Sequence, residues 1–390
     1  MEPGGGAPEV QLVGNDGEVA EVGREVDGRT ITIPISPVAA DWSWTRRRSS
    51  WSGVRVTPSF PPLRTALAMG LLLPLLAAAC AGDDDGAGSA GSWPAMASTT
   101  VAADPVCDDG SLGGRRYILC TGEVDPAEAE ERLIVAFHGR GSSAEEMRRA
   151  TELDRVAAAH GVAVVFPEAV DGGWGDDTFA TPARPQGDED VAAVDDLVAA
   201  VRRDDRIADG PVVVAGFSNG ASMALRYASA RPDQVRGVVS VAGQLPRDPA
   251  VRPASRVPLL EVYGTADPIR PEATGIPEPP AREPGDPTPT LSTSDTVAAF
   301  VAAAGGEGSV EAIAAVESDP EPLDGTTLRT SRWRDEDGDV AVLHLIVGGG
   351  HTWPSAVAPF AGGDRFGPTS RDLDTSAEAV IFALTAFASS

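Results

Sequence analysis

From about residue 107 onward, short apolar runs alternate with stretches whose apolar positions recur every three or four residues. The runs at 115–120, 133–137, 162–166, 211–215, 235–241, 259–263 and 340–347 predict strands. The stretches at 143–160, 190–201, 221–227, 296–304 and 376–387 predict helices. In the second of these, Val191, Val194, Leu197, Val198 and Val201 share one face. A strand that is apolar without alternation has to be covered on both faces, and the intervening helices supply that cover. The pattern therefore predicts an α/β fold, a mostly parallel sheet between two helical layers. Residues 272–289, dense in Pro, Glu and Gly, predict a surface insertion near the strand ends.

The first hundred residues follow other patterns. Residues 1–53 are rich in Gly, Glu and Val, show no sustained periodicity, and contain Arg46-Arg47-Arg48 near their end. Residues 54–80 predict a secretory signal: Arg64, then an apolar stretch through Leu75-Leu76, then Ala77-Ala78-Ala79 before Cys80. That stretch is short for a membrane-spanning helix of about 20 residues, and Pro74 interrupts it. A cysteine directly after small residues is similar to the bacterial lipobox, although Ala77 stands where leucine is usual. Cys80 is the candidate lipidation site, so the expected location is extracellular or the outer face of the cytoplasmic membrane, with membrane contact only through that lipid. A signal placed this far into the chain implies a downstream start at Val54, Val56 or Met69, which makes 1–53 a non-native or disordered extension. Residues 81–106, rich in Gly, Ser, Asp and Ala, predict a flexible tether. Residues 107–390 remain as the catalytic domain.

Composition narrows the partners. Acidic residues number 58 against 31 basic ones, for a net charge of -27, and every basic residue is arginine. So acidic a surface repels phosphate backbones and excludes nucleic-acid binding. Of the three cysteines, Cys107 and Cys120 flank a turn-rich stretch and form the candidate disulfide, given export. A loop of that size is stabilised by roughly 3 kcal/mol.

Gly216-Phe217-Ser218-Asn219-Gly220 fits the nucleophile-elbow pattern G-x-S-x-G. With glycine at 43 of 390 residues, composition alone supplies roughly 0.3 such matches per chain, so context decides. The pattern follows the apolar run Val212-Val213-Val214-Ala215 and precedes a helical stretch beginning Ala221-Ser222-Met223. A sharp strand-to-helix turn lifts a serine hydroxyl out of the sheet and needs small neighbours on either side. That hydroxyl needs a base. Of the four histidines, His351 alone lies late in the chain in a loop just beyond a strand, after Gly348-Gly349-Gly350. His160 reads as a helix-end residue, His344 as a packed strand residue, and His138 as the start of a glycine turn. The acid belongs after a strand between the two, and Asp267 in Gly264-Thr265-Ala266-Asp267-Pro268 follows the run at 259–263. Asp324 and Asp335 are weaker candidates because no clear strand leads into them. The order Ser…Asp…His is that of the α/β-hydrolase fold. In that fold the oxyanion donors are the backbone N–H after the nucleophile, here Asn219, and one from the loop after an early strand. His138-Gly139-Arg140-Gly141-Ser142 is that loop, with Arg140 as donor and Gly141 as the alternate. Trp174 and Trp353 are candidate substrate contacts.

Taken together, His138-Gly139 after a strand, Gly-Phe-Ser-Asn-Gly, Gly-Thr-Ala-Asp-Pro and Gly350-His351-Thr352-Trp353-Pro354 resemble the polyhydroxybutyrate depolymerase and feruloyl esterase family, especially its actinobacterial lipoprotein esterases. The resemblance covers residues 107–390. It implies a secreted α/β-hydrolase that cleaves esters as a monomer, without metal or organic cofactor, through Ser218, Asp267 and His351. The helix after the acid departs from the family. It carries Phe300 and then Gly305-Gly306, where many members have an Asn-Gly-Cys segment. That departure bears on the substrate, which is a polyester, a polysaccharide-linked ester or a small ester. The competing readings are a serine peptidase on the same fold and a non-catalytic surface-binding lipoprotein.

Overall fold

The computed structural model describes residues 104–390 except 123–131, 176–186, 248–249, 278–287, 306–307, 361–362 and 389–390, together with three strands near the N-terminus. Those strands, β1 (Leu12–Val13), β2 (Ala20–Val26) and β3 (Arg29–Ile35), form an antiparallel meander. This differs from the expectation of no regular pattern before residue 53. Thr30-Ile31-Thr32-Ile33 does alternate with period two, but the run is too short to stand out. Cys80, the signal-like segment and the tether up to residue 103 lie outside the described residues.

Ten strands make the main sheet. In chain order they are β4 (Val106–Leu112), β5 (Arg115–Thr121), β6 (Arg132–Phe137), β7 (Val162–Pro167), β8 (Val212–Phe217), β9 (Val235–Val241), β10 (Leu259–Gly264), β11 (Glu311–Ser318), β12 (Thr327–Asp335) and β13 (Gly338–Val347). Their spatial order is β11-β12-β13-β10-β9-β8-β6-β7-β5-β4. The strands from β13 to β7 run parallel, and an antiparallel pair closes each edge. The helices are α1 (Ala144–Thr151), α2 (Leu153–Ala158), α3 (Asp188–Val201), α4 (Asn219–Ala230), α5 (Thr293–Ala303) and α6 (Thr375–Ala388). Among the described residues, no helix is long and apolar enough to cross a membrane.

The unbroken apolar strands are explained by what lies above and below them. On β8, Val212 and Val214 join one apolar layer, and Val213, Ala215 and Phe217 join the other. On β6, Leu133, Val135 and Phe137 divide from Ile134 and Ala136 in the same way. Two cores, one on each face, remove the need for polar alternation. The edge strands have no such double cover. β4 and β11 are largely exposed, β4 being mostly polar and β11 rich in alanine, and neither was expected from the sequence. Residues 108–114, expected as a turn-rich stretch, instead make most of β4 and the turn of a hairpin with the expected strand at 115–120. Gly113 and Gly114, with φ of 59° and 80°, make its two-residue turn, a geometry that favours glycine at both positions. Cys107 and Cys120 sit directly opposite each other across it and are joined by a disulfide.

The stretch expected as one helix at 143–160 is two. Glu152 adopts φ 47° between α1 and α2. Thr151 before it turns its hydroxyl back to the Met147 carbonyl at 2.8 Å and accepts from the Leu153 N–H at 3.3 Å, bonds that compete with a continuing helix. Ser143 caps α1 by accepting from the Glu146 N–H, and Ser292 caps α5 by accepting from that of Asp295.

Candidate active site

Ser218 joins β8 to α4. Its N–H still donates to the Val241 carbonyl, extending the β8–β9 ladder, while its own carbonyl already accepts from Ser222 N–H in α4. Changing from strand to helix within one residue puts Ser218 at φ 55°, ψ -117°, a conformation that costs a non-glycine residue on the order of 1–3 kcal/mol. The flanking glycines make the turn possible. A Cβ on Gly216 would run into the Gly220 carbonyl, and one on Gly220 into the carbonyls of Phe137 and His138.

The candidate base and acid come from the loops that follow two neighbouring strands. β10 and β13 are paired in parallel with Gly264 beside Ile346, so the loops after both strands emerge at the same end of the sheet as Ser218. His351 Nε2 lies 2.7 Å from Ser218 Oγ, and its Nδ1 lies 2.6 Å from Asp267 Oδ2. The other oxygen of Asp267 accepts from the N–H groups of Ile269 and Arg270, at 2.7 and 2.8 Å. Both His351 and Asp267 are buried. With its carboxylate held on both oxygens, Asp267 fixes the tautomer in which Nδ1 carries the proton and Nε2 can take one from Ser218. Asp324 and Asp335 are placed elsewhere. β12 does lead into Asp335, against expectation, but that carboxylate binds Arg256 at 2.6 and 3.0 Å. Asp324 accepts from Thr326 and from the Arg371 N–H.

β6 lies beside β8, which brings the His138–Ser142 loop over the N-terminus of α4. The N–H groups of the first helical turn have no intrahelical acceptor, so that of Asn219 has none within α4. The N–H of Gly141 is engaged by the Gly172 carbonyl at 2.6 Å, which removes the alternate donor. Arg140 lines the cavity over Ser218. His138 serves the loop rather than the triad. Its Nε2 accepts from Ala169 N–H at 3.0 Å, so Nδ1 carries the proton and donates to the Gly139 carbonyl at 2.8 Å. Burial lowers the pKa of its imidazole, against the Gly139 hydrogen bond and the charge of Glu168. Of the other histidines, His160 is exposed and His344 is buried on β13, bonded to Thr330.

The cavity measures about 320 Å³ and is walled by Arg140, Ile269, Arg270, Phe360, Arg365 and Phe366 around Ser218 and His351. The two tryptophans expected at the substrate are not among its walls. Each is only 1% exposed. Trp174 packs edge-on against Phe137 and donates its Nε1–H to the His138 carbonyl at 2.9 Å. Trp353 donates its own to Ser376 Oγ at 3.1 Å and lines a neighbouring cavity of about 430 Å³. The phenylalanine walls are Phe217 and Phe360, stacked with centroids 4.6 Å apart, and Phe366, beside His351. Arg270, Phe360 and Phe366 carry no motif in the sequence, since only the fold brings them to the site. Cys107, Cys120 and Asp154 lie close enough together to ligate a metal, but both sulfurs are in the disulfide.

A family profile described as "Phospholipase/Carboxylesterase" matches residues 123–277, which span the elbow and the acid. "Putative esterase NocK" of Nocardia uniformis subsp. tsuyamanensis is 38% identical over 347 residues, covering 82% of this chain and 98% of that protein. "Probable feruloyl esterase C" of Aspergillus terreus is 27% identical over 177 residues, covering 43% of this chain and 60% of that protein. Among solved structures, acetyl xylan esterase from Aspergillus awamori aligns with a TM-score of 0.42 at 13% identity, covering 67% of this chain and 97% of its own. The parallel sheet, the strand–serine–helix elbow and a relative matched along nearly its whole length agree: this chain belongs to the phospholipase/carboxylesterase family of α/β-hydrolases.

Proposed function

We propose that the protein is an exported serine esterase that opens carboxylic esters through an acyl-enzyme. The observation that carries this reading is the unbroken relay Ser218 Oγ–His351–Asp267, with links of 2.7 and 2.6 Å, at the floor of the cavity. His351 Nε2 takes the Ser218 proton as Oγ attacks the ester carbonyl carbon. The carbonyl oxygen becomes an oxyanion and is received by the N–H groups of Asn219 and Arg140. Each such donor stabilises the transition state by about 3–4 kcal/mol. Asp267 stabilises the imidazolium, which then hands its proton to the departing alcohol oxygen as the C–O bond breaks. Water, deprotonated by His351, attacks the acyl-serine. The acid leaves and the proton returns to Ser218.

Export is supported by the signal-like segment at 54–80 with Cys80 as a lipid attachment point, and by the Cys107–Cys120 disulfide, a bond that persists in oxidising compartments. The substrate class is an ester of a hydroxyalkanoate polymer or of a feruloylated or acetylated polysaccharide. The motif Gly350-His351-Thr352-Trp353-Pro354 and the similarity to a feruloyl esterase support that class. Hydrolysis of 4-nitrophenyl acetate by the parent and by Ser218→Ala tests the reaction. The variant is expected to lose about 10⁴-fold or more in kcat, and equal rates would remove the reading.

A further inference from the structure

We propose that Arg270 is a positioning residue that ties the acid of the triad to the helix of the nucleophile; the proposal rests on the esterase reading of the site. Ser218 and Asp267 follow strands that do not touch, since β9 lies between β8 and β10. The sheet therefore gives their loops no direct hydrogen bond, and His351 bridges them. Arg270 supplies a second bridge. Its backbone N–H donates to Asp267 Oδ1 at 2.8 Å, and its guanidinium Nη1 donates to Ser222 Oγ at 2.6 Å. Ser222 lies one turn beyond Ser218 on α4 and donates its N–H to the Ser218 carbonyl at 3.0 Å. Its hydroxyl donates to the Gln244 carbonyl at 3.0 Å, and its oxygen accepts from the arginine and, at 3.3 Å, from the Gln244 N–H. The main chain of Arg270 is held too, because Tyr263 donates its hydroxyl to the Arg270 carbonyl at 3.1 Å.

Arg270 is fully buried. A guanidinium in that position carries a desolvation cost that an apolar side chain of similar length would avoid. What the arginine adds over such a side chain is direction. It locks the Asp267–Arg270 turn at one distance from α4, and with it the distance over which His351 must reach from Asp267 to Ser218. Misplacing reacting groups by about 1 Å costs on the order of 100-fold in rate, so a clamp of this kind acts on kcat.

The test uses the full-length protein with 4-nitrophenyl acetate. Ser218-dependent hydrolysis by the parent comes first, and its absence removes both the esterase reading and this proposal. Once that activity is established, Arg270→Met is expected to lower kcat about 10- to 100-fold with KM within about threefold of the parent. Arg270 also borders the cavity, so a rise in KM with kcat preserved would assign it to substrate contact and overturn the proposal. Ser222→Ala keeps the arginine and removes its acceptor. It should lower kcat in the same direction, and adding Arg270→Met to it should cost less than about threefold more. Additive losses would overturn the clamp while leaving the esterase reading intact. Melting curves separate instability from misplacement, and should Arg270→Met fail to fold, unchanged kcat in Ser222→Ala overturns the proposal alone.

Discussion

Trp174 and Asn219 bind each other twice. The Trp174 N–H donates to Asn219 Oδ1 at 2.7 Å, and Asn219 Nδ2–H donates to the Trp174 carbonyl at 3.1 Å. The same tryptophan donates its ring N–H to the His138 carbonyl. Trp174, seven residues past the end of β7, thus links the His138–Ser142 loop to the first residue of α4, the two segments assigned as oxyanion donors.

Asn219→Ala keeps the backbone N–H after the nucleophile but removes both bonds to Trp174. The loop and the helix are then free to separate, and kcat on 4-nitrophenyl acetate is expected to fall about 10- to 100-fold with a smaller change in KM. Steady-state kinetics at matched folded concentration check it.

Glu261 lies on β10 with its side chain fully buried. Burial pushes its carboxyl well above the ordinary value of 4.5, with Ser240 and the charge of Arg270 pulling the other way. The folded state therefore holds a proton that the unfolded chain releases. Stability contributed by this group is highest below 4.5 and declines as pH rises from there toward the raised value. Glu261→Gln, which has no proton to lose, is expected to be more stable than the parent at neutral pH, with the gain shrinking on acidification. Denaturant melts across that range check it.

The disulfide joins directly opposed residues of the β4–β5 hairpin at the sheet edge. Replacing Cys107 and Cys120 with serine is expected to lower unfolding free energy by about 3 kcal/mol, and reduction of the parent by a comparable amount. Chemical denaturation with and without reductant measures both. The site lies at the far end of other strands, so kcat at low temperature should change little.

The central strands, the order of Ser218, Asp267 and His351, and the loop at His138 were legible because each follows from a local rule. An unbroken apolar run reports cover on both faces, and a glycine-flanked serine between strand and helix reports an elbow. The edge strands were not legible. β4 reads Val-Cys-Asp-Asp-Gly-Ser-Leu, and its polarity reflects an open face that resembles loop. The cavity walls were illegible for a different reason. Trp174 and Trp353 attract attention as large aromatics, yet both are spent on buried hydrogen bonds, while Phe360 and Phe366 arrive from a segment with no pattern of its own. Arg270 sits three residues past the acid, and nothing short of the distance to Ser222 distinguishes it from a surface turn.

The separation of the triad along the chain, 133 residues from Ser218 to His351 and 84 from Asp267 to His351, has a temporal consequence. β13 must dock in parallel beside β10 before His351 meets either partner, and long-range parallel pairing is among the slowest events a chain performs. The contacts of Ser218 and Asp267 with His351 therefore cannot be made until the loop after β13 is seated beside the loop after β10.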